Sequence, residues 1–151
     1  MSKSSFSYVI YIHAAPKDVW NGLVDPALTR RYWFHDNVSD WKPGSRWVHR
    51  RTGPDQTVDI EGKVLEADPP RRLVLSWAPP ESTDSPAETS QVLFEISTQD
   101  DWPHGPWTGL RLEHSELETD SEMHRSVTFG WPAVLSGLKT VIESPDVFSG
   151  G

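Results

Sequence analysis

The sequence contains no cysteine and only two methionines in 151 residues. Disulfides and thiolate chemistry are therefore excluded, and no covalent staple holds the core. Basic charge is scarce as well: 14 Lys plus Arg stand against 22 Asp plus Glu, for a net charge of −8. A phosphate-backbone partner needs a basic face, and none is visible, which argues against nucleic-acid binding. Long apolar runs are missing too. The opening stretch MSKSSFSYVIYIHAAPKD carries an apolar run of about seven residues, bounded by Pro16 and charge. That is too short for a signal core, and no segment approaches the roughly 20 apolar residues of a membrane span. The expectation is a cytoplasmic protein whose residues 1–151 form a single domain without a membrane span. The six histidines lack the H-x-H or HExxH spacing of a metal site, and GWPAVLSG lacks the lysine and preceding strand of a phosphate loop. Neither metal nor cofactor is expected.

What remains is a patterned chain. FSYVIYIHA alternates, placing Phe6, Tyr8, Ile10 and Ile12 on one face of a strand. APKDVWNGLVDPALTRRYWF then switches to helical spacing. Pro16 suits a first helical position, and Pro26 restarts a second short helix carrying Leu28, Tyr32 and Trp33. WKPGSRW is a turn at Pro43 and Gly44, after which SRWVHRR, QTVDIEGKVLEAD, RRLVLSW, SQVLFEIS and LRLEHSEL read as extended segments separated by turns. The spacing predicts an α+β fold: a curved antiparallel sheet of about six strands, two short helices after the first, and one long helix last.

The last helix is the odd one. In SVTFGWPAVLSGLKTVIESP, the side chains of Val127, Trp131, Val134, Leu135, Leu138, Val141 and Ile142 form one apolar stripe, with Ser136, Lys139 and Glu143 off it toward solvent. Pro132 sits inside this pattern. An interior proline removes a backbone donor and crowds the preceding turn, so the helix should either begin or bend there. A bend would let it follow a curled sheet while holding its first turns away, leaving a gap.

Five stretches stand in the order of one known group: APKDVWNGLVDPALTRRYW, SDWKPGSRW, GKVLEADPPRRLVLSW, LRLEHSELE and GWPAVLSGLKTVIE. Together they resemble the START-like, helix-grip superfamily (SRPBCC, birch-pollen-allergen-like proteins). Within it they resemble the small bacterial branch named after the activator of the heat-shock-protein-90 ATPase. The resemblance runs from about Tyr8 to Glu143. It implies a curved antiparallel sheet gripping a C-terminal helix with an apolar cavity between them. Relatives of this fold bind lipids, hormones and polyketides, and some catalyse cyclisation or dehydration; the fold does not choose among these. The eukaryotic activators carry a separate N-terminal chaperone-binding domain, for which this chain is expected to have no room.

The site must then come from residues. Eight tryptophans are many for this length. By alternation Trp47, Ile60, Trp77, Phe94 and Leu112 face inward, joined by Trp131 and Leu135 of the last helix. Trp33 and Phe34 close the second helix at the expected cavity mouth. Flat, polarisable walls suit planar apolar ligands. His114 follows Leu110 and Leu112 in phase, and His49 follows Trp47, so two imidazoles face the apolar side. These eleven residues are the expected ligand contacts. The leading reading is a protein that binds a small apolar, aromatic or lipid-like, molecule. The second is a polyketide cyclase- or dehydratase-like enzyme using an inward histidine as acid–base, and the third is a chaperone-associated interaction module. A buried imidazole is more often a neutral core group, so no catalytic residue is assigned. His35 and Asp36, adjacent on an expected loop, should not aim at one atom. Trp102 and Trp107 lie in a loop that could cover a sheet edge or meet a partner. Ligand identity and oligomeric state are not legible.

Overall fold

A computed structural model describes residues 2–101 and 103–146. Seven strands form one antiparallel sheet: β1 (Lys3–Ile12), β2 (His35–Ser39), β3 (Arg46–Arg51), β4 (Val58–Asp68), β5 (Arg72–Trp77), β6 (Ser90–Gln99) and β7 (Trp107–Glu118). Their spatial order is β1-β7-β6-β5-β4-β3-β2, so only β1 leaves its sequence neighbours, pairing with β7. Helices α1 (Pro16–Val24) and α2 (Pro26–Tyr32) fill the crossing from β1 to β2, and α3 (Glu122–Glu143) closes the chain.

The seventh strand is β2, which sequence alternation missed. Its residues HDNVS carry one apolar side chain, so no hydrophobic period marks them. They are extended because β3 pairs with all five. The polar side chains of Asp36 and Asn37 are buried and answered. Asp36 accepts two hydrogen bonds from Arg30 at 3.0 and 3.1 Å, and Asn37 Nδ2 donates to the Leu23 carbonyl at 3.1 Å. His35 and Asp36 thus lie on a strand rather than a loop, and they face different partners.

The two short helices start as the prolines require. Pro16 and Pro26 each stand at a first helical position, where the missing N–H is needed by no intrahelical bond. Asp25 ends one helix and caps the next, its Oδ1 accepting from Ala27 N at 2.9 Å. Register shifts in β1, between β3 and β4, and in β4 bend the sheet around its inner face.

Helix α3 begins at Glu122, ten residues before Pro132, with Ser121 Oγ accepting from His124 N at 3.0 Å as its cap. Pro132 is therefore interior and marks no helix start. It leaves the Thr128 carbonyl without its helical donor. The stripe packs as its phase demands: Val127, Trp131, Leu135, Leu138 and Val141 are buried, and Val134 and Ile142 pack partly buried against the core. Past Pro132 the helix is clamped from behind by α1 and α2. A Cβ built on Gly22 would stand 2.5 Å from Leu138 Cδ1, and one on Gly137 would stand 3.1 Å from Tyr32 Cβ. These glycines allow close approach between backbones. The Tyr32 hydroxyl donates to the Gly22 carbonyl at 2.7 Å, and burial pushes its ionisation upward.

Glu143 differs from its expected role at the solvent face. Its Oε2 accepts from the His13 amide at 2.7 Å and from Lys139 Nζ at 2.7 Å, pinning the helix end to the β1–α1 junction. Leu138→Ala should cost about 3 kcal/mol, as a buried leucine in a tight packing niche does. Glu143→Ala should cost nearer 1 kcal/mol, because water can replace it at a half-exposed amide. Denaturant melts of the two variants check the ordering. Equal costs would mean that the helix phase is wrong. Trp107 opens β7, packs tilted against His13 with ring centroids 4.7 Å apart, and lies under Lys139 Nζ, so it covers this end of the sheet. Trp102 lies outside the described residues.

Candidate functional site

The site is built where β3 and β4 fall out of step. His49 pairs with Ile60 and Arg50 with Val58, so Asp59 is an extra residue with no partner across the ladder. Strict alternation would send Asp59 to the face opposite Ile60. The bulge re-aims it, and both line one cavity. In β2, His35 pairs with Arg51 while Asn37 pairs with His49, so His35 and His49 are diagonal neighbours on one face.

Their imidazoles stack with centroids 3.8 Å apart and planes within 5°. Both nitrogens of His35 are occupied, Nδ1 by the Trp33 carbonyl at 2.7 Å and Nε2 by Asp59 Oδ2 at 2.8 Å. Asp59 also accepts from Arg51 Nε at 2.7 Å. Burial raises the Asp59 carboxyl, but the bonds from Arg51 and His35 together outweigh it and hold the group below the usual carboxylate range. His49 is held differently. Asn37 Nδ2 is committed to Leu23, so its Oδ1 must accept, and His49 Nδ1–H donates to it at 2.6 Å. This fixes the tautomer and leaves His49 Nε2 as a bare acceptor. Burial, reinforced by His35, lowers His49 to about 3, so the ring is neutral.

Above this polar edge stands a wall of indoles. Trp33 and Trp131 meet at 5.4 Å, Trp77 and Trp131 at 5.4 Å, and Trp47 and Trp77 at 5.5 Å between centroids. Two of the four have their N–H answered within the wall. Trp47 Nε1 donates to the Ser76 carbonyl at 2.8 Å, and Trp131 Nε1 donates to His114 Nδ1 at 3.0 Å. Because His114 Nδ1 accepts, its Nε2 must donate, to Ser90 Oγ at 2.7 Å, and that hydroxyl donates to the Trp77 carbonyl at 3.2 Å. Every polar atom of this relay from Trp131 to Ser90 is answered, and burial first, then His124, lowers His114 to about 3. Outside it, Trp77 Nε1 is buried with no acceptor among the described residues, as is Arg50 Nε of β3.

Between this wall, the bulge and the first half of α3 lies a cavity of about 250 Å³. The helix residues around it are Met123, Ser126, Val127, Gly130 and Trp131 before Pro132 and Val134 just after it. A family model described as activator of Hsp90 ATPase homolog 1-like protein matches residues 13–143, which span α1 through α3. The chain belongs to that family. Solved structures of similar fold include CalU16 from Micromonospora echinospora, 27% identical over 91% of this chain and 73% of that one, with a TM-score of 0.69. The solution structure of the Aha1 dimer from Colwellia psychrerythraea is 20% identical over 97% of this chain and 99% of that one, with a TM-score of 0.74. Protein MLL2253 from Mesorhizobium loti is 23% identical, covering 94% of this chain and 100% of that one, with a TM-score of 0.70. No curated protein matches the chain.

In this member of the Hsp90-ATPase-activator-like family, five of the residues expected at the cavity line it: Trp33, His49, Ile60, Trp77 and Trp131. Trp47, Phe94, Leu112, His114 and Leu135 are buried behind them in the core. Phe34 is elsewhere: 68% exposed at a positive φ of 58°, it turns outward from the mouth it was expected to close. His35 and Asp59 join the lining, together with Met123, Ser126, Val127, Gly130 and Val134. Among the described residues no group of His, Asp and Glu is placed to hold a metal ion, and no helix is long and apolar enough to cross a membrane.

Proposed function

We propose that the chain binds a small planar, largely apolar molecule in the cavity between α3 and strands β3 to β5. The observation that supports this reading most is the opening of about 250 Å³ faced by Trp33, Trp77 and Trp131. Pockets for drug-sized ligands run from about 300 to 1,000 Å³, so this one fits a two-ring compound and little more. A general base is poorly supplied. His114 has no free lone pair, and His49, at about 3, is too weakly basic to take a proton near neutral pH. Binding without turnover is the function these residues fit.

Naphthalene is a suitable probe. It should quench or shift tryptophan emission in a saturable way, because indoles form the wall. Trp131→Ala should change its affinity at least several-fold, while Leu65→Ala, on the exposed face of β4, should leave it unaltered. Failure of any planar probe to saturate the emission change would remove the binding reading.

A further inference from the structure

A second cavity lies beside the first, and nothing described above uses it. It measures about 350 Å³ and opens between the segment 79–90, the end of β7 and the first turns of α3. The two share part of their walls: Met123 and Ser126, one turn apart on the same helix face, line both. Their floors adjoin as well. Trp77 faces the first and Pro79 the second, two residues apart on a segment that stays extended through the Glu61–Ala78 bridge. Ser90, directly across the ladder from Trp77, also lines the second. The cavities therefore lie end to end along the start of α3, with the unbranched, adaptable Met123 side chain at their boundary.

Their linings differ in kind. Indoles wall the first, whereas among the described residues no aromatic ring lines the second, whose apolar side chains are Pro79, Ala87, Leu117 and Met123. Charge differs too. The carboxylates of Glu88, Glu116 and Glu122 line the second cavity without an ion-pair partner among the described residues, and the Lys3 ammonium is committed to Glu118 and to the Pro86 carbonyl. Resting on the binding reading above, we infer that one ligand occupies both cavities, with a planar aromatic head among the indoles and an uncharged alkyl tail passing Met123 into the second. Aliphatic walls give a chain contact along its length but offer a ring no stacking partner. At about 250 Å³ the first cavity alone falls below the range for drug-sized ligands, and the second brings the joined space within it. A tail ending in a carboxylate would meet three like charges and no lysine or arginine in the described lining. The chemistry fits an alkyl-substituted arene and rejects a fatty acid.

Three probes with one ring system separate the parts: 2-methoxynaphthalene, 2-hexyloxynaphthalene and 6-(2-naphthyloxy)hexanoic acid. They carry no tail, a neutral tail and a charged tail. Titrated into the wild-type protein at neutral pH, the hexyl ether should bind at least tenfold more tightly than the methyl ether, since each buried methylene is worth about fourfold. The acid should lose that gain. A long chain also adheres to apolar surface at large, so its position is read directly. The hexyl ether should move the ¹³C methyl resonance of Ala87, which lines the second cavity and not the first, and the methyl ether should leave it still. Ala87 is exposed, so Ala87→Trp should fold and fill that cavity. In this variant the two ethers should bind within about twofold of each other, with the methyl ether at its wild-type affinity. Three results overturn the tail inference while the first cavity's reading survives: equal wild-type affinity for the two ethers, an unmoved Ala87 resonance on hexyl ether binding, or a tail advantage that persists in Ala87→Trp. An acid that binds as tightly as the hexyl ether overturns the requirement for an uncharged tail. Binding by none of the three overturns both readings.

Discussion

Acidifying the protein from pH 7 to pH 5 should remove about 4 kcal/mol of stability, before most carboxylates begin to titrate. The loss comes from His49 and His114, each lowered to about 3 in the fold by burial first, with a neighbouring histidine adding to it. An unfolded histidine titrates near about 6.5. Between those two values the unfolded chain binds protons that the folded one refuses, so stability rises with pH through that window and falls as the solution is acidified. By pH 5 this amounts to roughly 2 kcal/mol for each ring. Against a typical domain stability of about 5–15 kcal/mol, that is a large fraction. Asp59, Glu61 and Glu143, all held below the usual carboxylate range in the fold, act in the same direction at lower pH. Their contribution is present above the unfolded carboxylate value of about 4 and is lost only below it, so the two windows separate. Urea midpoints measured every half unit should fall steadily from pH 6.5 to 5. A flat midpoint across that interval would show that these imidazoles are not kept neutral by burial.

Gly62→Ala should cost about 4 kcal/mol or prevent folding. A Cβ at that position would lie 2.0 Å from the Ser76 carbonyl oxygen and 2.8 Å from its Oγ. The obstacle is backbone, so no side-chain rotation relieves it. The carbonyl is also the acceptor for Trp47 Nε1, and Ser76 Oγ accepts from the Lys63 amide. Forcing β4 and β5 apart would break both bonds and leave a buried indole donor unanswered, a cost of about 1–3 kcal/mol on top of the strain. Thermal and denaturant melts check this, with Gly53→Ala as a control because nothing lies within 4 Å of a Cβ there. A variant at Gly62 that melts with the wild type would mean the strands have room the structure denies them.

The fold was largely readable because most of it rests on period. Alternation in Val92, Phe94 and Ile96, or the helical spacing from Val127 to Ile142, encodes a buried face directly, and each is buried as read or packs against the core. The family resemblance added the grip of the sheet on the last helix and the cavity between them. What could not be read rests on pairing between distant residues. HDNVS becomes a strand through β3, and its buried Asp36 and Asn37 are satisfied by α1, α2 and β3. Asp59 reaches the cavity only because the ladder slips by one residue beside it, and a slip leaves no mark in composition. His114 and His49 were both placed facing inward, yet their difference lies in what occupies the second nitrogen. That is Ser90 in one case and no described residue in the other. Phe34 was placed at the mouth because it follows Trp33 at the end of the second helix, whereas its backbone is left-handed there and the ring stands exposed, outside the cavity lining.

Pro132 divides α3 into halves of unequal attachment. From Leu135 onward the helix is wedged against Gly22 and Tyr32 and tied at Glu143, while from Glu122 to Trp131 it roofs the cavity. Helix α3 runs unbroken through the junction, but the Thr128 carbonyl there lacks its helical donor, so roof and wedge are joined by one backbone bond fewer than an uninterrupted helix would give. The roof is held instead by side chains, through buried Val127 and Trp131 and the bond from Trp131 Nε1 to His114. Changes that strengthen the wedge should therefore raise the melting temperature while leaving the sheet's own part of the cavity, Trp77 and the bulge at Asp59, as it is.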